Sequence, residues 1–153
     1  MIKQGEKAKS FTLKNQDAKH VSLDDFKGQK VVVYFYPKDD TPGCTKEACN
    51  FKDANKEIKK LGATVLGISA DSVKSHKKFH DKYDLNFDLL SDEDKEVCKA
   101  FGVLKQKSMF GNTFLGITRS TFIIDEEGVV EKVFEKVKVK NHDEEVLQHL
   151  KKD

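Results

Sequence analysis

Three cysteines occur among the 153 residues, and two of them, Cys44 and Cys49, lie close together in one unusual segment. That segment is Tyr36-Pro37-Lys38-Asp39-Asp40-Thr41-Pro42-Gly43-Cys44-Thr45-Lys46-Glu47-Ala48-Cys49. Pro37 to Gly43 reads as a loop, because it holds two prolines, a glycine and a pair of aspartates. A helical pattern follows from Cys44, so this cysteine falls in the first turn. Unpaired backbone N–H groups and the helix dipole favour an anion there, and a thiolate is such an anion. Cys44 is therefore a candidate nucleophile.

Ionisation alone accounts for little of a fast thiol reaction. A free thiol is only ~3% thiolate at pH 7, so complete ionisation raises the rate at most ~30-fold, or ~2 kcal/mol. Any larger acceleration requires fixed donors that align the electrophile and stabilise developing charge. Two residues can supply them. The Thr41 hydroxyl lies three positions before Cys44, in a loop stiffened by Pro37 and Pro42. Arg119 opens a predicted strand and offers a rigid, permanently charged fork of N–H donors. It is the only arginine among 28 basic residues. That choice points to a need for guanidinium geometry, although a lysine-biased chain can also keep one arginine by chance.

Cys49 follows Cys44 by five positions. In an ideal helix their Cα atoms lie roughly 8.7 Å apart, beyond the ~7 Å limit for a disulfide. The pair cannot bond while the helix is intact. Cys49 also neighbours the core candidates Ala48 and Phe51, so a packing role is the competing reading. Cys98, in Val97-Cys98-Lys99-Ala100-Phe101, reads as helix core.

The elements around these residues alternate. Two short strands within Phe11 to Leu23 flank the polar stretch 15–19. Lys30 to Tyr36 is continuous, β-branched and aromatic, as expected of a strand buried on both faces. The helix from Cys44 to Leu61 carries Ala48, Phe51, Ala54, Ile58 and Leu61 at spacings of three or four, with Gly62 as its cap. Ala63 to Ser69 is a strand. Asp71-Ser72 caps a helix to about Tyr83, and Phe87 to Leu90 is a short strand. Ser91 or Asp92 caps a helix through Phe101. Ser120 to Asp125 and Val129 to Val137 form a hairpin, and the tail from Asn141 is an amphipathic helix. This order predicts one α/β domain spanning residues 1–153, with helices over a mixed sheet.

Composition excludes several classes. The net charge is +2, with acidic and basic residues interleaved, so no nucleic-acid surface is expected. The apolar runs are too short to span a membrane. Met1-Ile2-Lys3-Gln4-Gly5 has no features of a signal peptide, and a cytoplasmic location is expected. Cysteines in such a chain are catalytic, metal-binding or core. Finger-like metal spacing is absent. His76 and His80 are four apart on a predicted helix, but the surrounding lysines predict a solvated face. A disulfide oxidoreductase would carry C-x-x-C, whereas four residues intervene here. A binding protein without turnover is the remaining alternative.

The run Pro37-x-x-x-Thr41-x-x-Cys44 resembles the peroxiredoxin active-site motif. The longer stretch from Tyr36 to Phe51 is similar to the bacterioferritin-comigratory-protein, or PrxQ, subfamily. Gly116-Ile117-Thr118-Arg119-Ser120-Thr121-Phe122-Ile123-Ile124-Asp125 is similar to the strand that carries that family's active-site arginine. The resemblance implies a thioredoxin-like fold with an N-terminal β-hairpin, a mixed central sheet and flanking helices. It implies a thiol peroxidase that reduces hydrogen peroxide and organic hydroperoxides. Cys44 would be the peroxidatic cysteine and Cys49 the resolving one, with Pro37, Thr41 and Arg119 completing the site. A thioredoxin-type dithiol would recycle the disulfide. No metal or organic cofactor is implied. The chain lacks the C-terminal extension that carries a resolving cysteine in dimeric two-cysteine relatives, so an intramolecular disulfide and a monomer are expected, with a dimer still open. Glu47 also matches the subfamily, with only a weak role as a first-turn carboxylate.

Overall fold

The computed structural model describes residues 1–152. β1 (Thr12–Lys14) and β2 (His20–Ser22) form the expected N-terminal hairpin. β3 (Lys30–Phe35) leads through the loop into α1 (Pro42–Lys60), followed by β4 (Ala63–Ser69), α2 (Val73–Lys82), β5 (Asp88–Ser91) and α3 (Glu96–Phe101). β6 (Leu104–Met109), β7 (Asn112–Ile117), β8 (Ser120–Ile124), β9 (Val130–Phe134) and α4 (His142–Lys151) complete the chain.

Seven strands build one sheet in the order β2-β1-β5-β4-β3-β8-β9. β3 pairs parallel with β4, and β4 with β5; β8 runs antiparallel to β3, and β9 to β8. The sheet is thus mixed, as the sequence predicts. Every residue of β3 is buried. The period-2 alternation explains how. Val31, Val33 and Phe35 join one apolar cluster with Phe101 and Phe122. Val32, Tyr34 and Tyr36 join another with Ala48, Phe51 and Ile58 of α1 and Val146 and Leu150 of α4. A strand covered on both faces reads as one continuous apolar run.

The structure departs from the sequence expectations at three ends. α1 begins at Pro42, two residues before Cys44, so Pro42 and Gly43 belong to the helix. Proline is tolerated in the first position because its missing N–H would have had no helical partner. α3 begins at Glu96, later than Ser91 or Asp92 suggested. Asp92 still caps it from upstream, its carboxylate accepting from the Val97 N–H at 3.2 Å and the Cys98 N–H at 2.8 Å. β9 stops at Phe134, short of Val137.

The hairpin β6–β7 is an element that the sequence pattern does not reveal. It forms a separate two-stranded sheet. Its tip, Phe110-Gly111, takes positive φ at both positions, 52° and 79°, the backbone of a tight hairpin turn. Neither strand has a buried face along most of its length, and Met109, Phe110, Phe114 and Leu115 are exposed. Without a buried face there is no apolar alternation to read. Among the described residues, no helix is long and apolar enough to cross a membrane.

One glycine holds α1 in place indirectly. Tyr34 stacks on Phe51 of α1 with ring centroids 4.8 Å apart. A Cβ at Gly67 of β4 would meet the Tyr34 ring and hydroxyl at 2.9 Å. The ring is buried and packed by aromatic neighbours, so it cannot yield cheaply. Gly67→Ala is therefore expected to destabilise by roughly 1–3 kcal/mol, read as a lower midpoint in urea unfolding. A midpoint unchanged from that of the unsubstituted protein would show that Tyr34 can move.

Candidate active site

β3 and α1 position the candidate nucleophile. β3 delivers the chain to Tyr36 at the C-terminal ends of the parallel strands, residues 37–41 turn it, and α1 starts at Pro42. Cys44 is the third helical residue and only 2% exposed. A sulfur at this depth can hold negative charge only if donors replace water.

Arg119 supplies one. It sits between β7 and β8, immediately before Ser120, which pairs with Phe35 at the end of β3. This register brings an arginine 75 positions away in sequence against the helix start. Its Nη2 donates to Cys44 Sγ at 3.4 Å, and its Nη1 donates to Glu47 Oε1 at 2.7 Å. Gly43 allows the approach, since a Cβ there would lie 3.2 Å from Arg119 Nη2. Burial works against the Arg119 charge, but Glu47 and Cys44 outweigh it and hold its pKa above the ordinary value.

Glu47 is the residue that sequence reasoning undervalued. It is 1% exposed, one helical turn after Cys44, and it pairs with the guanidinium. Its other oxygen, Oε2, is buried without a protein hydrogen-bond partner. Burial pushes the Glu47 carboxyl up to about 7, although Arg119 pulls in the other direction. The signal was present in the spacing: Glu47 precedes Phe51 by four and adjoins Ala48, and therefore lies on the inward face of α1.

Thr41 does not act as the donor expected of it. Its hydroxyl donates to the Lys38 carbonyl at 2.9 Å, closing the loop upon itself. Its proton is committed, and what it presents to an incoming molecule is an acceptor lone pair. It occupies the helix-capping position without a side-chain cap bond. Pro37 is exposed and opens the loop after β3. Cys49 is partly exposed and lies in the same unbroken helix as Cys44, and both are free thiols. Cys98 is fully buried, and burial with the neighbouring Asp92 pushes its thiol well above the ordinary range, which agrees with a core role.

The expected solvated face of α2 is only half correct. His76 is completely buried, and His80 sits on a partly exposed flank. The two do not converge. His76 turns inward with Phe79, three residues on, and that apolar neighbour was the signal for its burial. Among the described residues, Asp39, Asp71 and His76 bring carboxylates and a ring nitrogen close together. The His76 Nδ1 to Asp39 Oδ2 distance is 2.7 Å, a hydrogen-bond contact, and serine, tyrosine and backbone donors engage the carboxylate oxygens. This is a hydrogen-bond network rather than a cation cage.

The Glu47 carboxyl has a testable linkage to stability. Its folded-state pKa is raised, so the folded protein holds the proton more tightly than the unfolded chain. The stabilisation is complete below the unfolded value of 4.5 and is lost as pH rises through about 7. Between pH 5 and pH 8 the protein should lose on the order of a few kcal/mol relative to Glu47→Gln, measured by urea unfolding of both at each pH. Parallel pH dependences would show that Arg119 keeps Glu47 ionised throughout.

Known proteins resemble this chain over nearly its whole length. The AhpC/TSA family model matches residues 4–133. A protein of Coxiella burnetii named putative peroxiredoxin bcp is 55% identical over 97% of this chain and 99% of its own length. Peroxiredoxin Bcp of Escherichia coli is 50% identical over 98% of this chain and 96% of its own. The structure of Xanthomonas campestris peroxiredoxin Q superposes with a TM-score of 0.89 at 45% identity, covering 93% of this chain and 90% of that one. A PrxQ structure from Xylella fastidiosa reaches 0.94 at 39% identity, covering 99% and 97%. The thioredoxin-like mixed sheet agrees with the comparisons: the chain belongs to the AhpC/TSA family, within its Bcp or PrxQ peroxiredoxins, and is a thiol-dependent peroxidase.

Proposed function

We propose that Cys44 is the peroxidatic nucleophile and Cys49 the resolving thiol of a one-domain peroxidase spanning residues 1–153. The observation that carries this reading is the Arg119 Nη2 contact with Cys44 Sγ at 3.4 Å, made at the first turn of a helix. The Cys44 thiolate attacks the terminal oxygen of a peroxide, forming an S–O bond as the O–O bond breaks. Sulfur is oxidised to the sulfenic acid, and the departing oxygen takes up a proton and leaves as water or an alcohol. Arg119 faces both the thiolate and the charge that develops on the leaving oxygen. Thr41, whose own proton is engaged, accepts a hydrogen bond from the peroxide O–H and so orients it. Pro37 stiffens the loop that carries Thr41. The Xanthomonas campestris bacterioferritin comigratory protein is described as having alkyl peroxide reduction activity. Organic hydroperoxides are therefore proposed as substrates of this chain beside hydrogen peroxide.

Cys49 then attacks the sulfenic sulfur, forming the Cys44–Cys49 disulfide and releasing water. Both residues lie within continuous α1, so at least its first turn must unwind. A thioredoxin-type dithiol restores both thiols by exchange. Such reductants operate in reducing compartments, which supports a cytoplasmic location. An intramolecular disulfide needs no partner subunit, which supports a monomer.

One equivalent of hydrogen peroxide should remove two hydrogens from the reduced protein within seconds and yield a linked Cys44–Cys49 peptide by mass spectrometry. Cys49→Ser should stop at the sulfenic acid, and Cys44→Ser should consume no peroxide. Survival of both thiols towards hydrogen peroxide and an organic hydroperoxide would overturn the assignment. Arg119→Lys should slow Cys44 oxidation by about 10²-fold, the cost of losing one aligned donor. Amide exchange at residues 44–50 should be faster in the oxidised form, and equal protection would refute the unwinding.

A further inference from the structure

Beneath the loop that precedes Cys44 lies a buried pair with no role in the chemistry described so far. Asp39 is 7% exposed and His76 0%. Asp39 Oδ1 accepts from the Tyr36 hydroxyl at 2.6 Å, and Oδ2 accepts from Ser75 Oγ at 2.8 Å. Oδ2 also lies 2.7 Å from His76 Nδ1. On the far side of the ring, Nε2 faces the Leu90 carbonyl at 3.0 Å.

The donor inventory decides what this contact is. A carbonyl only accepts, so Nε2 carries a hydrogen. Nδ1 meets a carboxylate oxygen, which also accepts. A hydrogen bond on both sides of the ring requires one proton shared between Nδ1 and Oδ2. The Tyr36 hydroxyl, 3.4 Å from Nδ1, already points its proton at Oδ1. In a site this dry, a satisfied hydrogen-bond network holds its geometry. Asp71 extends the network: its Oδ2 accepts from the Asp39 N–H at 2.9 Å and from Ser69 Oγ at 2.6 Å.

A single loop residue is therefore tied to the end of β3 through Tyr36, to α2 through Ser75 and His76, to β5 through the His76 ring, and to the β4–α2 connection through Asp71. The next residue is held on the outer side. Asp40 takes a positive φ of 55°, and its carboxylate accepts from Lys82 Nζ at 2.8 Å and the Tyr83 hydroxyl at 2.9 Å. Thr41 and the start of α1 follow directly.

We propose that the Asp39–His76 pair is a positioning clamp for the peroxidatic loop, holding Thr41 and Cys44 in reactive geometry and remaining as the fixed end from which α1 unwinds. The proposal rests on the roles assigned above to Cys44 and Cys49. His76 and Asp39 act through the loop and do not touch the reacting atoms. Displacements near 1 Å in a reacting geometry cost as much as ~10²-fold in rate, so the loop's anchorage bears directly on turnover.

The test separates oxidation of Cys44 from formation of the disulfide in the full-length protein. His76→Phe fills the site but donates no hydrogen bond, and Ser75→Ala removes one donor from Asp39. Rapid-mixing measurement with hydrogen peroxide should show Cys44 oxidation slowed about tenfold in His76→Phe and by a smaller factor in Ser75→Ala. Ile58→Val, a core substitution in α1 away from this network, should leave that rate within about twofold. Disulfide formation from the sulfenic acid should keep its wild-type rate in all three, because the unwinding segment lies beyond the clamp. In the unsubstituted protein, exchange of the Asp39 amide, which is bonded to Asp71, should stay slow in both redox states while residues 44–50 accelerate on oxidation. Wild-type Cys44 oxidation rates in folded His76→Phe and Ser75→Ala would overturn the clamp, as would acceleration of the Asp39 amide equal to that at 44–50. The exchange comparison needs no variant and stands even if His76→Phe fails to fold. Failure of the unsubstituted protein to form the disulfide at all would instead overturn the cysteine roles.

Discussion

The site depends on one constraint: a sulfur buried away from water can carry negative charge only where protein donors replace the solvent. Cys44 is almost wholly buried, so its charge requires protein donors. The Arg119 guanidinium meets that need, and it is itself held by the buried Glu47 carboxylate. Three groups on two distant segments thereby form a compact charged cluster against the aromatic side of the sheet. Pairing β8 with β3 in one register places Arg119 there. Sliding β8 by one residue would turn its side chains to the opposite face.

The helix that carries the nucleophile is unevenly stabilised, and this suits its task. Its later turns are anchored by Phe51, Ala54 and Ile58 in the core shared with α4. Its first turn contains Pro42 and Gly43, and the side chain at the cap position makes no capping bond. Glycine in a helix costs about 1 kcal/mol relative to alanine. Yet Gly43 also makes room for the guanidinium. The residue that admits the arginine thus weakens the turn that, in the proposed cycle, opens for Cys44 to reach Cys49. The Arg119 contact joins Cys44 to that turn, and in the proposed cycle conversion of Cys44 to a sulfenic acid or disulfide releases it.

Upstream of the weak turn the chain is held firmly. Asp39 and Asp40 point in opposite directions, one into a buried network with His76 and the other onto Lys82 and Tyr83. Short-range bonds inside the loop, such as Thr41 to the Lys38 carbonyl, leave few conformations for residues 38–41. With the proposed clamp upstream and the weak first turn after it, the proposed unwinding falls in the segment between the two cysteines.

Much of this was legible in the residues alone. The buried strand β3, the helix faces of α1 and α4, the mixed sheet, the cysteine at a helix start and the isolated arginine all follow from local periodicity and from the few residue types that can do thiol chemistry. The hairpin β6–β7 was not legible, because strands without a buried face carry no alternation. Nor were the partners of Glu47, His76 and Thr41. A carboxylate, an imidazole and a hydroxyl have the same spacing along a chain whether they face solvent or each other. Which partner each one meets depends on strand order and register, which bring Arg119 to Glu47 and His76 to Asp39. Sequence determined the elements and the candidate nucleophile, since both are local properties of the chain. Only the tertiary structure decided which buried charges pair and where the Thr41 proton points, because those contacts join segments that the chain keeps far apart or leaves free to turn.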